Sequence, residues 1–136
     1  FPASPPAEPI LDGNGLSALV VDDDPSVREV MKRALESVGY DVSEAASGDE
    51  AITTAHWMRH AIDLVVTDVV MPSLGGRKLV EKLRARQPDL AVVFVSGYRQ
   101  MTDETAPNTA FLAKPFTGSQ LLMAVKTLMP CIQSEI

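Results

Sequence analysis

"LVVDDDPSVREV", residues 19–30, sets a run of apolar residues directly against three carboxylates, Asp22, Asp23 and Asp24, and then a proline. Like charges a few ångströms apart disfavour one another's ionised forms, so the cluster needs a reason. Helix capping supplies part of one. Asp24 stands where an N-cap belongs, and Pro25 suits the first helical position. Val27, Val30, Met31, Ala34, Leu35 and Val38 then follow at i, i+3, i+4, i+7, i+8 and i+11, which predicts a single buried stripe, and Gly39 marks the stop. Capping accounts for Asp24 alone. Asp22 and Asp23 are either a solvated turn or ligands for a cation, and the cluster by itself favours the solvated turn.

Working outward, the same strand–loop–helix unit repeats five times, the signature of a parallel α/β sheet. The first strand is "SALVVD". The second, "YDVSEA", is short and alternating, as at a sheet edge, and Ser47 with Glu50 has the spacing of a capping box opening a helix to about Arg59. The third, "IDLVVTD", is apolar enough to be buried on both faces and ends at Asp68 before "VVMPSLGG". Leu79, Val80 and Leu83 line the next helix, closed by Pro88. The fourth strand is "LAVVFVS". "GYRQMTDETAPNT" has little apolar periodicity, which predicts a short, irregular or absent fourth helix. The fifth strand is "AFLA". Thr117 with Gln120 repeats the capping box before a last helix carrying Leu121, Leu122, Val125, Leu128 and Met129, with Pro130 ending it.

The chain's 136 residues suit one domain. Residues 1–15 read as a Pro-rich linker behind an upstream segment, with four prolines in the first nine positions. Residues 16–130 form the domain and 131–136 a tail. A formal charge of −6 argues against phosphate-neutralising or anionic-lipid surfaces. The single cysteine, Cys131, cannot pair within the chain, and no stretch approaches the roughly 18 apolar residues of a membrane span. The expectation is a soluble, cytoplasmic, monomeric domain with no direct nucleic-acid or membrane contact.

In an open α/β sheet, ligands sit beyond the carboxyl ends of the strands. Strand one ends in Asp22 and Asp23, strand three in Asp68, strand four in Ser96 and strand five in Lys114. Each alone has a bland reading as a turn former, a cap or a solvated side chain. Together they make an all-oxygen acidic site with a hydroxyl and an ammonium opposite, which suits a hard ion such as Mg²⁺ and the chemistry of phosphoryl transfer. Asp68, a lone acid on a central strand, is the candidate nucleophile, and Asp22 with Asp23 the candidate metal ligands. His56 and His60 have metal-compatible spacing but no further ligands nearby, and read as structural or solvent-facing.

In this order and at these intervals, "LVVDDDPSVRE", "DLVVTDVVMPSLGG", "VVFVSGY" and "FLAKPF" closely resemble the receiver domain of two-component response regulators, over residues 16–130. The resemblance implies a doubly wound, flavodoxin-like sheet of strand order 2-1-3-4-5. It implies that Asp68 accepts a phosphoryl group from the phosphohistidine of a histidine kinase or histidine phosphotransfer domain. Asp22, Asp23, Asp68 and the backbone carbonyl of Val70 would hold Mg²⁺, while Ser96 and Lys114 would bind phosphoryl oxygens. The Lys114–Pro115 bond would be cis, and Phe111 would be a switch aromatic. The domain would catalyse only its own phosphorylation and dephosphorylation.

The segment between Ser96 and Lys114 is shorter than in archetypal members. Together with "VSGY", that resembles the C-terminal receivers of hybrid sensor histidine kinases. Val70 and Tyr98, each two residues beyond a site position, are bulky where some members carry polar groups, and would slow hydrolysis of an acyl phosphate. Two other readings compete. Asp22-x-Asp24 with a distant lysine is also the outline of a haloacid-dehalogenase-like phosphatase, which leaves Asp68 without a role. The other is a receiver-like module that only binds partners.

Overall fold

In the computed structural model the described residues are 15–58, 61–97 and 107–128. Five parallel strands, β1 (Ser17–Val21), β2 (Asp41–Ala45), β3 (Leu64–Asp68), β4 (Ala91–Ser96) and β5 (Thr109–Ala113), form one sheet in the order β2-β1-β3-β4-β5. The helices among the described residues are α1 (Pro25–Glu36), α2 (Gly48–Trp57), α3 (Gly76–Arg84) and α4 (Gly118–Leu128). The stretch 98–106, where the fourth helix is expected to be short, irregular or absent, lies outside the described residues, as do Tyr98, His60, Met129, Pro130, Cys131, the tail and all but the last residue of the linker.

The apolar runs become central strands because both faces of the sheet are covered. Side chains alternate: Ala18, Val20, Val66, Val93 and Val95 enter one core with Met31, Ala34 and Leu35 of α1 and Leu121 and Val125 of α4. Leu19, Val21, Val65, Val92 and Phe94 enter the other with Ala51 of α2 and Leu79, Val80 and Leu83 of α3. The helix starts follow the side-chain caps. Asp24 accepts from Ser26 N ahead of Pro25. Ser47 Oγ accepts from Glu50 N at 3.0 Å, and the Glu50 carboxylate reaches back to Ala46 N, one residue before the cap. Thr117 and Gln120 make the reciprocal pair in full, at 3.1 and 2.9 Å. Gly39, at φ 99°, takes the left-handed conformation that ends the α1 segment.

One expectation fails on α1. Val30 belongs to the periodic stripe, yet it is 39% exposed. The sheet seats only Met31, Ala34 and Leu35 fully, and Val30 falls at the stripe's margin, where it lines a groove with Val27, Lys114, Pro115 and Phe116.

At the opposite end of the sheet, long side chains finish the hydrogen bonding that the strands leave open. Gln87 clasps Ile62 just before β3, accepting from its N–H at 3.1 Å and donating to its carbonyl at 2.8 Å. Arg84 donates to the carbonyls of Leu90 and Asn108 and to Thr109 Oγ1, tying the end of α3 to the starts of β4 and β5.

Candidate functional site

Parallel pairing brings the strand ends level. Val21 is in register with Thr67, Asp68 with Val95, and Ser96 with Ala113. Asp22, Asp68, Ser96 and Lys114, drawn from four loops, therefore share the carboxyl edge of the sheet, at the point where the chain's winding reverses.

Asp22 is fully buried, Asp68 and Ser96 are nearly so, and Asp23 is exposed. The two adjacent acids that the sequence presents as equivalent are thus split, one as the wall of the pocket and the other as its solvent rim. Asp22 is fixed on all sides. Its N–H donates to Ala45 O, its Oδ1 accepts from Asp24 N at 2.9 Å, and its carbonyl accepts from Arg28 at 2.8 Å. Asp68 Oδ1 accepts from Val70 N at 3.1 Å. Lys114 Nζ lies 2.8 Å from Asp68 Oδ2 and 2.9 Å from Asp22 Oδ2, and Lys114 N donates to the Ser96 carbonyl. The Lys114–Pro115 bond is cis.

Electrostatics follow from this crowding. Burial pushes the Asp22 carboxyl above its ordinary pKa, against the opposing pull of Lys114 and the Asp24 N–H, and the Asp68 charge adds to the rise. Burial alone would lower the Lys114 ammonium, but the hydrogen bonds and charges of Asp68 and Asp22 outweigh it and raise its pKa. Asp24 is held low by the Ser26 N–H and hydroxyl, as its capping role requires.

The residues fit a hard divalent cation. One carboxylate oxygen from each of Asp22, Asp23 and Asp68 lies within 4.8 Å of the others. Asp22 Oδ2 is buried, and its one close partner among the described residues is the Lys114 ammonium at 2.9 Å. Three carboxylates against one ammonium leave a formal charge of −2, which a divalent ion cancels. Asp24 is not among the three; its side chain is spent on the helix cap, so the Asp-x-Asp pairing of the phosphatase reading is not assembled.

Gly76 was not singled out from the sequence. A Cβ there would collide with the Asp68 carbonyl, because the first turn of α3 rests on that peptide and Gly76 N donates to Val69 O at 3.0 Å. The only sequence signal was the "GG" pair after β3, which reads as loop punctuation. Phe111 lies half-buried against the α2–α3 core, stacked on Phe94.

No helix among the described residues is long and apolar enough to cross a membrane. Residues 18–126 match the family model described as the response regulator receiver domain. The sensor kinase CckA of Brucella abortus (strain 2308) is 42% identical over 119 residues, 83% of this chain but only 12% of the kinase. Among solved structures, the receiver domain from the hybrid histidine kinase CckA is 36% identical with a TM-score of 0.71, covering 83% of this chain and 98% of that one. The response regulator TrrA of Thermotoga maritima, in complex with Mg²⁺–BeF, is 28% identical with a TM-score of 0.70 over the same shares. Strand order, the acidic pocket and these likenesses agree: this chain belongs to the response regulator receiver domain family.

Proposed function

We propose that Asp68 is the phosphoacceptor of this receiver and that the donor is the phosphohistidine of a histidine kinase or histidine phosphotransfer domain. The observation that carries the reading is the meeting of Asp22, Asp23, Asp68 and Lys114 at one end of the sheet. Asp22, Asp23 and Asp68, with the Val70 carbonyl, would hold Mg²⁺. Bound there, the ion would offset the carboxylates' charge and that of the incoming phosphoryl oxygens. Asp68 supplies the attacking oxygen. Its O–P bond forms as the P–N bond to the donor imidazole breaks, and the imidazole leaves to take up a proton. Lys114, already bridging two carboxylates, is placed to follow the negative charge onto the phosphoryl group, and the Ser96 hydroxyl is the matching neutral donor. Phe111 is the aromatic through which the change at Ser96 would reach the surface.

The docking face for the donor is the groove of about 340 Å³ formed by Val27, Val30, Pro115 and Phe116 beside Lys114. It is apolar and opens next to the phosphoacceptor, which suits a helical partner presenting its histidine over the pocket. The likeness to CckA supports a place in a hybrid sensor kinase within a phosphorelay, and a cytoplasmic location is part of that same reading. Val70, 55% exposed at the pocket's lip, supports slow hydrolysis of the acyl phosphate.

The test is incubation with acetyl phosphate, with and without Mg²⁺. Wild type should gain one phosphoryl group in Mg²⁺ and none in chelator, and Asp68→Asn should gain none; equal labelling of Asp68→Asn would overturn the assignment.

A further inference from the structure

On the α3 side of the sheet, just beyond the acidic pocket, Phe94 and Phe111 are register partners on β4 and β5, with ring centroids 5.4 Å apart and planes inclined by 23°. The Arg77 guanidinium lies over both, its Cζ 5.4 Å from the Phe94 centroid and 5.8 Å from that of Phe111. All three are connected to the pocket by short stretches of chain. Arg77 follows Gly76, which rests on the Asp68 carbonyl and donates to Val69 O. Phe94 precedes Ser96 by two residues and Phe111 precedes Lys114 by three.

We propose that Arg77 is a positioning residue for this site: its guanidinium clamps the stacked Phe94–Phe111 pair, and the clamp is coupled to phosphorylation of Asp68. The coupling rests on the phosphoacceptor reading above. A cation over an aromatic face is attracted by the ring quadrupole out to about 6 Å, and both distances sit near that limit. A small displacement of the first turn of α3, which a change at the Asp68–Val69 peptide would cause, therefore weakens or tightens the clamp. The planar guanidinium can cover two stacked rings at once; an ammonium covers one. Because coupling is reciprocal, a clamp tightened by a phosphoryl group must in turn favour binding of that group.

The experiment uses the full chain with ring-labelled phenylalanine, comparing wild type, Arg77→Gln and Arg77→Lys, with Phe111→Leu to identify the Phe111 resonance. In Arg77→Gln the Phe111 resonance should leave its stacked position, and beryllofluoride with Mg²⁺ should bind roughly two- to five-fold more weakly, the factor expected for loss of an exposed cation–π contact. Arg77→Lys should fall between. Placing Arg77→Gln in the Phe111→Leu background should shrink its effect on affinity, since Phe94 alone then remains beneath the guanidinium. An unchanged resonance and affinity in Arg77→Gln, or an affinity loss undiminished without Phe111, overturns the clamp. A wild-type chain with no beryllofluoride response removable by Asp68→Asn overturns the phosphoacceptor reading and the coupling with it, whereas a normal wild-type response with an unresponsive Arg77→Gln overturns the clamp alone.

Discussion

Lys114 Nζ donates to Asp68 Oδ2 at 2.8 Å, across 46 residues of sequence, and the same ammonium sits 2.9 Å from the buried Asp22 Oδ2. One cation thus holds together two carboxylates that would otherwise repel, leaving Asp23 outside at the rim. A second, divalent cation would relieve the excess negative charge that remains, and that has measurable consequences for stability.

Mg²⁺ should raise the melting temperature at neutral pH, by an amount corresponding to about 2.7 kcal/mol at a hundredfold excess over its dissociation constant. Asp22→Asn and Asp23→Asn should each remove most of that increment. Thermal scans with and without chelator decide it; an Mg²⁺ increment unchanged in both variants would exclude these residues as ligands.

Without Mg²⁺ the same substitution at Asp22 should act in the opposite direction. Its raised pKa means that the folded state holds the proton more tightly than the unfolded chain. Asp22 therefore favours folding below the ordinary carboxyl pKa, and that contribution is lost as pH rises through the folded value. Asp22→Asn should be more stable than wild type at neutral pH in chelator, with the advantage shrinking on acidification. Urea midpoints at several pH values measure this, and an advantage that grew toward acid pH would contradict it. Lys114, also raised, contributes stability below its ordinary value that is lost only as pH climbs through the folded one.

Gly76→Ala should cost about 1–3 kcal/mol and slow phosphorylation, since the added methyl drives α3 away from the Asp68 carbonyl. Denaturant melts and acetyl phosphate labelling rates, taken on the same preparation, test both halves.

Gln87→Leu should be the converse case. It strips Ile62 of both its side-chain partners, at a cost of about 1–3 kcal/mol, at the end of the sheet remote from the pocket. Stability should fall while the labelling rate of the folded fraction stays at the wild-type value.

The strand ends were legible because a strand buried on both faces is an apolar run, and the polar residue that ends it marks the carboxyl edge; Asp22, Asp68, Ser96 and Lys114 are all of this kind. The capping residues Asp24, Ser47 and Thr117 were legible because their hydrogen bonds are local. What escaped depends on packing between distant segments. Val30 keeps helical periodicity, and only the width of the seat beneath α1 leaves it exposed. Gly76 matters because a helix rests on a strand carbonyl, and neighbouring residues carry no record of that approach. Arg77, Arg84 and Gln87 carry no mark in the sequence, because only the folded sheet sets their partners beside them. The difference between Asp22 and Asp23 is likewise one of depth, invisible in two adjacent identical letters.

The most direct measurement is to locate the acyl phosphate itself. After phosphorylation in Mg²⁺, borohydride reduction and peptide mass spectrometry should find a single reduced aspartate, at Asp68, absent when Mg²⁺ is chelated. Reduction at Asp22 or Asp23 instead, or labelling of Asp68 that ignores the metal, would contradict the account.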